Sequence, residues 1–139
     1  MRRALALQVR ISSFITQLAR VGADGKPPTI FDRIIAGDVP ANKVYEDPLV
    51  LAFHDIEPQA PVHVLLIPKQ RDGLTQLKFA EERHAAVLGH MLVTAPLVAR
   101  LAGIDDYRLV INDGLGAGQS VFHLHMHIFG GRNLSWPPG

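Results

Sequence analysis

Three histidines in the stretch SVFHLHMHIF fall on every second residue: His123, His125 and His127. In a β-strand successive side chains point to opposite faces, so these three imidazoles would share one face. In a helix they would spread around the circumference and leave no single polar side. The spacing therefore predicts a strand whose other, buried face carries the intervening apolar residues: Phe122, Leu124, Met126 and Ile128.

A metal site is the first chemistry that such a row suggests. Same-face neighbours on a strand stand about 6.5–7 Å apart, so the outer two histidines would be about 13 Å apart. Two of them could share one zinc ion, but the third could not easily join them. A fuller site would need His63 or a carboxylate, and the chain contains no HExxH motif. The spacing disfavours a metal centre.

Phosphate chemistry is the second alternative. Neutral imidazole is a nucleophile near pH 7, and neighbouring N–H groups can stabilise phosphoryl oxygens. The glycine-rich loop GLGAGQS directly precedes the row, and glycine lets a backbone approach a phosphate closely. A polar sheet face that happens to use histidine is the third alternative, and strict alternation beside such a loop disfavours it.

The composition narrows the class of protein. A chain of 139 residues has room for one domain with a hydrophobic core. Its formal net charge of +1 predicts no nucleic-acid and no membrane partner, and no apolar run is expected to approach the length of a membrane span. The absence of cysteine excludes disulfides, thiolate metal sites and a cysteine nucleophile, and it fits an intracellular compartment.

The N-terminal extension differs from the rest of the chain. It carries four arginines and no acidic residue before Asp24, and its apolar residues form one stripe on a helix. This composition is typical of a mitochondrial transit peptide, and an extra helix packed on the domain or on a partner subunit is the alternative. The Gly/Pro break GADGKPP separates residues 1–28 from a domain at 29–139. We expect a cytoplasmic protein, or a mitochondrial one if residues 1–25 are a transit peptide, and we expect residues 1–26 to be dispensable for chemistry.

The elements that must position the histidines can be read from the remaining pattern. TIFDRIIAGDVP predicts a short helix, and AEERHAAVLGHMLVTAPLVARLAGI predicts a long one that Pro96 should bend or break. Strands, one helix and then more strands predict an α+β meander with a sheet covered on one face. Five segments have strand character: NKVYED, LVLAFHDI, VHVLLIPK, YRLVIND and VFHLHMHIF.

The pattern His-φ-His-φ-His-φ-φ, with φ apolar, spans His123 to Phe129 and resembles the signature of the histidine triad superfamily of nucleotide hydrolases and transferases. The resemblance covers nearly all of residues 29–139 and is strongest to the Hint branch, the purine nucleoside phosphoramidases. The galactose-1-phosphate uridylyltransferase branch has glutamine in place of the last histidine, aprataxin-like members carry a zinc finger, and the Fhit branch lacks the WPPG ending. The segments that carry the Hint resemblance are TIFDRIIAGDVPA, LAFHDIEPQAPVHVLLIPK, YRLVINDG, GAGQSVFHLHMHIFGGR and WPPG.

The resemblance implies a role for each residue of the row. His125 is implied as the nucleophile that attacks the α-phosphorus and forms a nucleotidyl-histidine intermediate. His127 and Ser120 are implied to hydrogen-bond phosphate oxygens and the departing amine. His63 and His123 resemble residues that orient the site. Many relatives place a histidine shortly after the PK of the third strand, where this chain has PKQRDG.

The resemblance also implies a purine nucleotide pocket. Backbone amides around Gly118 and Gln119 would approach a phosphate, Asn112 would contact the ribose or phosphate, and Asp55 would accept from the ribose hydroxyls. Trp136 is implied to lie near the partner's active site and to shape leaving-group preference. The implied walls of the purine slot are Phe31, Ile34, Val39, Phe53 and Ile56.

The implied fold is HIT-like, an α+β domain with a five-stranded antiparallel sheet, one long helix and one short helix. Two copies would pair into a ten-stranded sheet in a homodimer. The implied activity is hydrolysis of the P–N bond of adenosine or guanosine phosphoramidates, and of acyl-adenylates as a further substrate class, with no cofactor and no metal. The alternative is a purine-nucleotide-binding regulatory protein with little turnover.

Overall fold

The computed structural model describes residues 24–139, and residues 1–23 lie outside the described part. The transit peptide or packed N-terminal helix therefore stays a prediction. The described residues form a five-stranded antiparallel sheet with one long and one short helix, which confirms the fold class predicted from the sequence.

The sheet differs from a simple meander in its strand order, β1-β2-β3-β5-β4. The connection from β3 to β4 passes one strand position, and β5 then returns antiparallel between them. The long helix within that connection gives the chain the reach to cross the sheet. The strands are β1 (Lys43–Glu46), β2 (Val50–His54), β3 (Val62–Pro68), β4 (Tyr107–Val110) and β5 (Met126–Gly130).

Two helices lie on the sheet, the short α1 (Ile30–Ile35) and the long α2 (Ala85–Leu101). One face of the sheet packs against α2. Pro96 lies inside this helix without ending it, so of the two expected effects, a bend or a break, the break does not occur. A proline removes the hydrogen bond to the carbonyl four residues earlier, and that residue, Leu92, is exposed, so water can replace the lost donor. The buried side of α2 carries Met91, Thr94, Ala95, Val98 and Ala99.

By length and composition alone, the segment Glu82–Leu101 would also pass as a membrane span, with 20 residues and a mean hydropathy of 1.3. The expectation that no apolar run approaches that length is therefore wrong. Core helices of globular domains share this composition, and the buried side of α2 lies against the sheet.

The other face of the sheet is partly covered by the short helix α1 (Ile30–Ile35). Thr29 accepts hydrogen bonds from the first-turn amides, and the Asp32 carboxylate accepts from the Thr29 amide at 2.7 Å, which forms a capping box. Phe31 and Ile34 of α1 pack on the sheet in a second, smaller core. The sheet is thus covered on both faces, whereas the sequence predicted cover on one.

β5 begins only at Met126, so the predicted strand is too long at its start. The Leu124 amide donates to the Leu74 carbonyl, a loop partner, instead of joining the strand ladder. Side chains nevertheless alternate between the two faces of the sheet before the strand begins. Leu124 and Met126 lie in the core beneath α2, while His123 and His125 contact Phe31 on the opposite side.

Candidate active site

An open pocket of about 790 Å³ lies on the α1 side of the sheet, a volume in the range of small-ligand sites. α1, the loop after it, the end of β2 and the glycine loop form its walls, with two of the three histidines. Four predicted site residues do not line it: Asn112, Gln119, His123 and Trp136. The predicted residues that do are Phe31, Ile34, Val39, Phe53, Asp55, Ile56, His63, Gly118, Ser120, His125 and His127.

His125 is 6% exposed, and its ring is fixed by one hydrogen bond. Its Nδ1 donates to the backbone carbonyl of His123 at 2.7 Å. Because the proton of the neutral ring is then on Nδ1, Nε2 carries the free lone pair. Burial lowers the pKa of His125, against the raising effect of that backbone hydrogen bond, and so favours the neutral form.

His127 receives the opposite tautomer from a chain of hydrogen bonds. The Gln59 amide donates to His63 Nδ1 at 3.1 Å, so the His63 proton is on Nε2. His63 Nε2 lies 2.9 Å from His127 Nδ1 and donates to it. His127 therefore carries its proton on Nε2, which has no hydrogen-bond partner among the described residues. Burial and the neighbouring His125 and His63 lower the pKa of His127 to about 4.

His123 is fully buried and does not reach the pocket. Its Nε2 donates to the Pro68 carbonyl at 2.7 Å, and its Nδ1 faces Asp32 Oδ1 at 3.6 Å. Its own carbonyl holds His125. The three histidines thus have three environments, although the sequence pattern treats them alike.

The glycine loop is fixed by the side chain of Gln119, which is buried. Its Oε1 accepts from the Gly114 amide at 2.9 Å, and its Nε2 donates to the carbonyls of Thr75 and Val121. Sequence reasoning assigned only a backbone role to Gln119. Gly118 follows the loop's 3-10 turn with φ +89°, a left-handed conformation that favours glycine.

The apolar part of the pocket lies between α1 and β2. Phe31 contacts two rings edge to face, with centroid distances of 5.6 Å to Phe53 and 5.1 Å to His125. The Phe31 ring therefore contacts both a predicted purine wall and one of the histidines. Ile56 is 95% exposed and forms only the rim. Sequence reasoning missed three lining residues on regular elements, namely Ile30 on α1, His54 at the end of β2 and Leu65 within β3. It also missed several in loops without a distinct pattern: Pro40, Ala41, Asn42, Glu57, Gln59 and Val121.

Asp55, His63 and His127 place one ligand-type atom each within 4.8 Å of one another, so this cluster must be tested as a metal site. His63 Nδ1 accepts from the Gln59 amide, and its proton therefore occupies Nε2, the atom that faces Asp55 and His127. A metal would require that proton to leave or the ring to turn. The arrangement fits a hydrogen-bond chain and does not fit a metal centre.

Trp136 is 80% exposed, and Arg108 Cζ lies over its ring, 5.8 Å from the ring centroid. It does not line the pocket of its own chain. Asn112 lies beside the glycine loop, where its Nδ2 is 3.8 Å from the position that a Cβ on Gly118 would take.

A sequence model of the HIT domain matches residues 36–134, and the chain belongs to this family. The "14 kDa zinc-binding protein" of Zea mays is 58% identical over 113 residues, which cover 81% of this chain and 88% of the maize protein. "Adenylylsulfatase HINT1" of Arabidopsis thaliana is also 58% identical over 113 residues, 81% of this chain and 77% of that protein. These relatives confirm the Hint resemblance.

Solved structures agree with this fold. A HIT family hydrolase from Legionella pneumophila superposes with a TM-score of 0.75 at 41% identity, over 79% of this chain and 98% of that one. A HIT family hydrolase from Clostridium thermocellum gives 0.73 at 42% identity, over 77% and 93%. The findings together support a nucleotide hydrolase of the HIT superfamily.

Proposed function

We propose that this protein hydrolyses the P–N bond of purine nucleoside phosphoramidates through a nucleotidyl intermediate on His125. The observation that carries the proposal is the pair of opposite tautomers in one pocket. His125 Nε2 offers a lone pair, and His127 Nε2 offers a hydrogen. Their ring centroids are 5.0 Å apart, close enough for both to contact one phosphoryl group.

The chemistry proceeds in two displacements. His125 Nε2 attacks the α-phosphorus, a bond from phosphorus to this nitrogen forms, and the bond to the amine breaks with its electron pair. The amine takes up a proton from solvent and leaves, while the His127 Nε2–H and the Ser120 hydroxyl donate to phosphoryl oxygens and the leaving nitrogen. Water then attacks the phosphoimidazolium, releases the nucleoside monophosphate and restores neutral His125.

The pocket supports a purine nucleotide as substrate. The apolar slot at Phe31 and Phe53 suits a flat base, and Asp55 lines the same pocket with its Oδ2 3.4 Å from His63 Nε2. The Asp55 side chain is 19% exposed, so its carboxylate can accept from ribose hydroxyls.

Adenylyl sulfate is the second candidate substrate, because the Arabidopsis relative at 58% identity is an adenylylsulfatase. The same attack by His125 would expel sulfate, which needs no proton to leave. Acyl-adenylates would follow the same route. A regulatory protein that binds purine nucleotides with little turnover is the alternative that the pocket alone would also allow.

The test is single-turnover hydrolysis of adenosine 5'-phosphoramidate and of adenylyl sulfate, each with and without EDTA, with acid quench and mass spectrometry. We expect an adenylyl adduct on His125, turnover insensitive to EDTA, and no adduct in His125→Ala, which should still bind AMP. An adduct elsewhere, or binding without turnover of either compound, would contradict the proposal.

We further propose a homodimer. β4 occupies an outer edge of the sheet, and α2 exposes the apolar residues Leu92, Val93 and Leu101. A twofold pairing of these surfaces would cover both the strand edge and the apolar face. In such a dimer Trp136 would approach the pocket of the second copy.

A further inference from the structure

Arg71 is 4% exposed and uses all five of its N–H groups. Its Nε and Nη2 bind both carboxylate oxygens of Asp24, at 2.6 and 2.7 Å. Its Nη1 donates to Asp32 Oδ2 at 3.0 Å. The two remaining donors reach the carbonyls of Pro27 and Lys26, each at 3.2 Å.

This cluster is built from the segment that precedes the domain. Asp24, Lys26 and Pro27 lie in the stretch assigned from the sequence to a linker, yet they supply four of the five acceptors of a buried guanidinium. Arg71 holds the pKa of Asp24 well below its ordinary range, so the carboxylate is ionised at neutral pH. A bidentate, buried pair of this kind fixes the geometry of both partners.

Asp32 connects the cluster to the histidines. Its Oδ2 is shared by Arg71 and the Thr29 amide, while its Oδ1 faces His123 Nδ1 at 3.6 Å. Burial raises the pKa of Asp32, but His123, Thr29 and Arg71 outweigh it and lower the value to about 2. His123 in turn holds His125 through its carbonyl.

Resting on the proposed function, we infer that Asp24 is a positioning residue for catalysis, acting through Arg71, Asp32 and His123 on the nucleophile His125. Because Asp24 occupies the forked edge of the guanidinium, Arg71 can give Asp32 only one N–H. Asp32 Oδ1 thereby stays turned toward His123. Without Asp24, the fork of Arg71 is free to bind both oxygens of Asp32 and to withdraw it from His123 Nδ1.

Residues 1–26 were expected to be dispensable for chemistry, and the contacts of Asp24 move that boundary to residue 23.

The experiment compares Asp24→Asn in the full chain with Asp105→Asn, which removes the same charge at an exposed position in the loop between α2 and β4. We expect kcat for adenosine 5'-phosphoramidate to fall about tenfold in Asp24→Asn, with AMP affinity changed less than twofold, because the pocket walls are untouched. Asp24→Glu, which keeps the carboxylate, should recover part of the loss. Asp105→Asn should behave as the unaltered protein.

A double-mutant cycle identifies the route. If Asp24 acts through Arg71, then Asp24→Asn should have less than a twofold effect on kcat in an Arg71→Gln background. Equal losses in both backgrounds, an unchanged kcat in Asp24→Asn, or equal losses of kcat and AMP affinity would each overturn the inference.

A spectroscopic measurement separates this inference from the proposed function. His123 Nδ1 has no hydrogen-bond partner among the described residues and faces the Asp32 carboxylate at 3.6 Å, so the ¹⁵N shift of this nitrogen reports the position of that carboxylate in any folded variant, active or not. We expect the Nδ1 resonance to shift in Asp24→Asn and in Arg71→Gln, and to stay unchanged in Asp105→Asn. If the protein hydrolyses no phosphoramidate but these shifts occur, the proposed function fails while the structural route stands; unchanged shifts overturn the route itself.

Discussion

His63 Nε2 and His127 Nδ1 lie 2.9 Å apart, and the amide of Gln59 on the far side of His63 determines which of the two nitrogens carries the proton. The hydrogen that His127 presents from Nε2 is therefore set by a residue on β3 and a backbone amide in the preceding loop. His63 thereby fixes the tautomer of the ring that we propose as the hydrogen-bond donor to substrate.

Replacing His63 tests this series of hydrogen bonds from Gln59 through His63 to His127. His63→Ala should lower kcat by up to about 100-fold, because the tautomer and orientation of His127 are no longer fixed. His63→Gln is the matched control, since its Nε2 keeps an N–H that can donate to His127 Nδ1, and it should retain more activity. The measurement is steady-state turnover at pH 7. Equal activity in the two variants would count against the tautomer argument.

The roles of His125 and His127 should differ in size and in leaving-group dependence. Loss of a positioned donor costs on the order of 10²–10³ in rate, and loss of a nucleophile costs far more. We expect His127→Ala to slow phosphoramidates with basic amines most, and adenylyl sulfate least. The measurement is a plot of log kcat/KM against leaving-group pKa, which should be steeper in His127→Ala than in the unaltered protein. Parallel plots would assign His127 another task.

The proposed dimer has a test on the exposed side of α2. Val93 is 77% exposed there, and Val93→Glu should place a charge in an apolar contact and give a monomer. Light scattering at micromolar concentration should report twice the chain mass for the unaltered protein and half of that for the variant. Leu115→Glu, an equally exposed site on the glycine loop, controls for loss of surface apolarity. A monomer mass for the unaltered protein would refute the dimer.

Acid should destabilise the fold partly through Asp47. Burial raises the pKa of Asp47, but His90, the Val50 and Leu49 amides and Tyr45 outweigh this and hold it well below its ordinary value. A depressed carboxyl pKa stabilises the fold above the unfolded value near 4, and that contribution is lost as the pH falls through the folded value. Urea unfolding at pH 7, 4 and 3 should show a smaller pH dependence in Asp47→Asn. The variant should also lose about 1–3 kcal/mol at pH 7.

The surroundings of Gly130 leave no room for a side chain. A Cβ there would stand 2.5 Å from Ile104 Cδ1 and 2.8 Å from the Asp106 carbonyl oxygen. The side chain can move, but the backbone oxygen cannot move cheaply, so Gly130→Ala should destabilise by about 1–3 kcal/mol. Gly116→Ala, with nothing within 4 Å, is the control for urea unfolding. Equal midpoints for the two variants would contradict this packing argument.

Sequence reasoning predicted the elements well, because apolar periodicity and turn residues are local signals. All five strands and both helices were expected from such segments. The start of β5 was not, since the bond from the Leu124 amide to the Leu74 carbonyl depends on a loop fifty residues away. The strand order was not predicted either, because it does not follow from local signals. The connection that contains α2 leaves one position free between β3 and β4, and β5 occupies that position.

The histidine row was predicted from its spacing, and a separate role for each histidine was implied by the resemblance, but the contacts that distinguish the three rings were not predicted. Spacing along a strand assigns a face, but the environments of His123 and His127 come from Pro68, Asp32 and His63, which are distant in sequence. The role of the buried Gln119 side chain was likewise not predicted, because one of its partners, the Thr75 carbonyl, lies on another loop. A tautomer is a property of the partners that surround a ring, and those are known only once the chain is folded.

The sheet separates the pocket from the helix α2. Substrate recognition and self-association would therefore occupy opposite surfaces of a single layer of strands. Exposed residues of α2 such as Leu92 and Val93 can change without altering a wall of the pocket, and α1 can change without altering the opposite surface. Outside the proposed contact of Trp136 with the second copy, residues that would recognise substrate and residues that would recognise a second copy can thus vary separately.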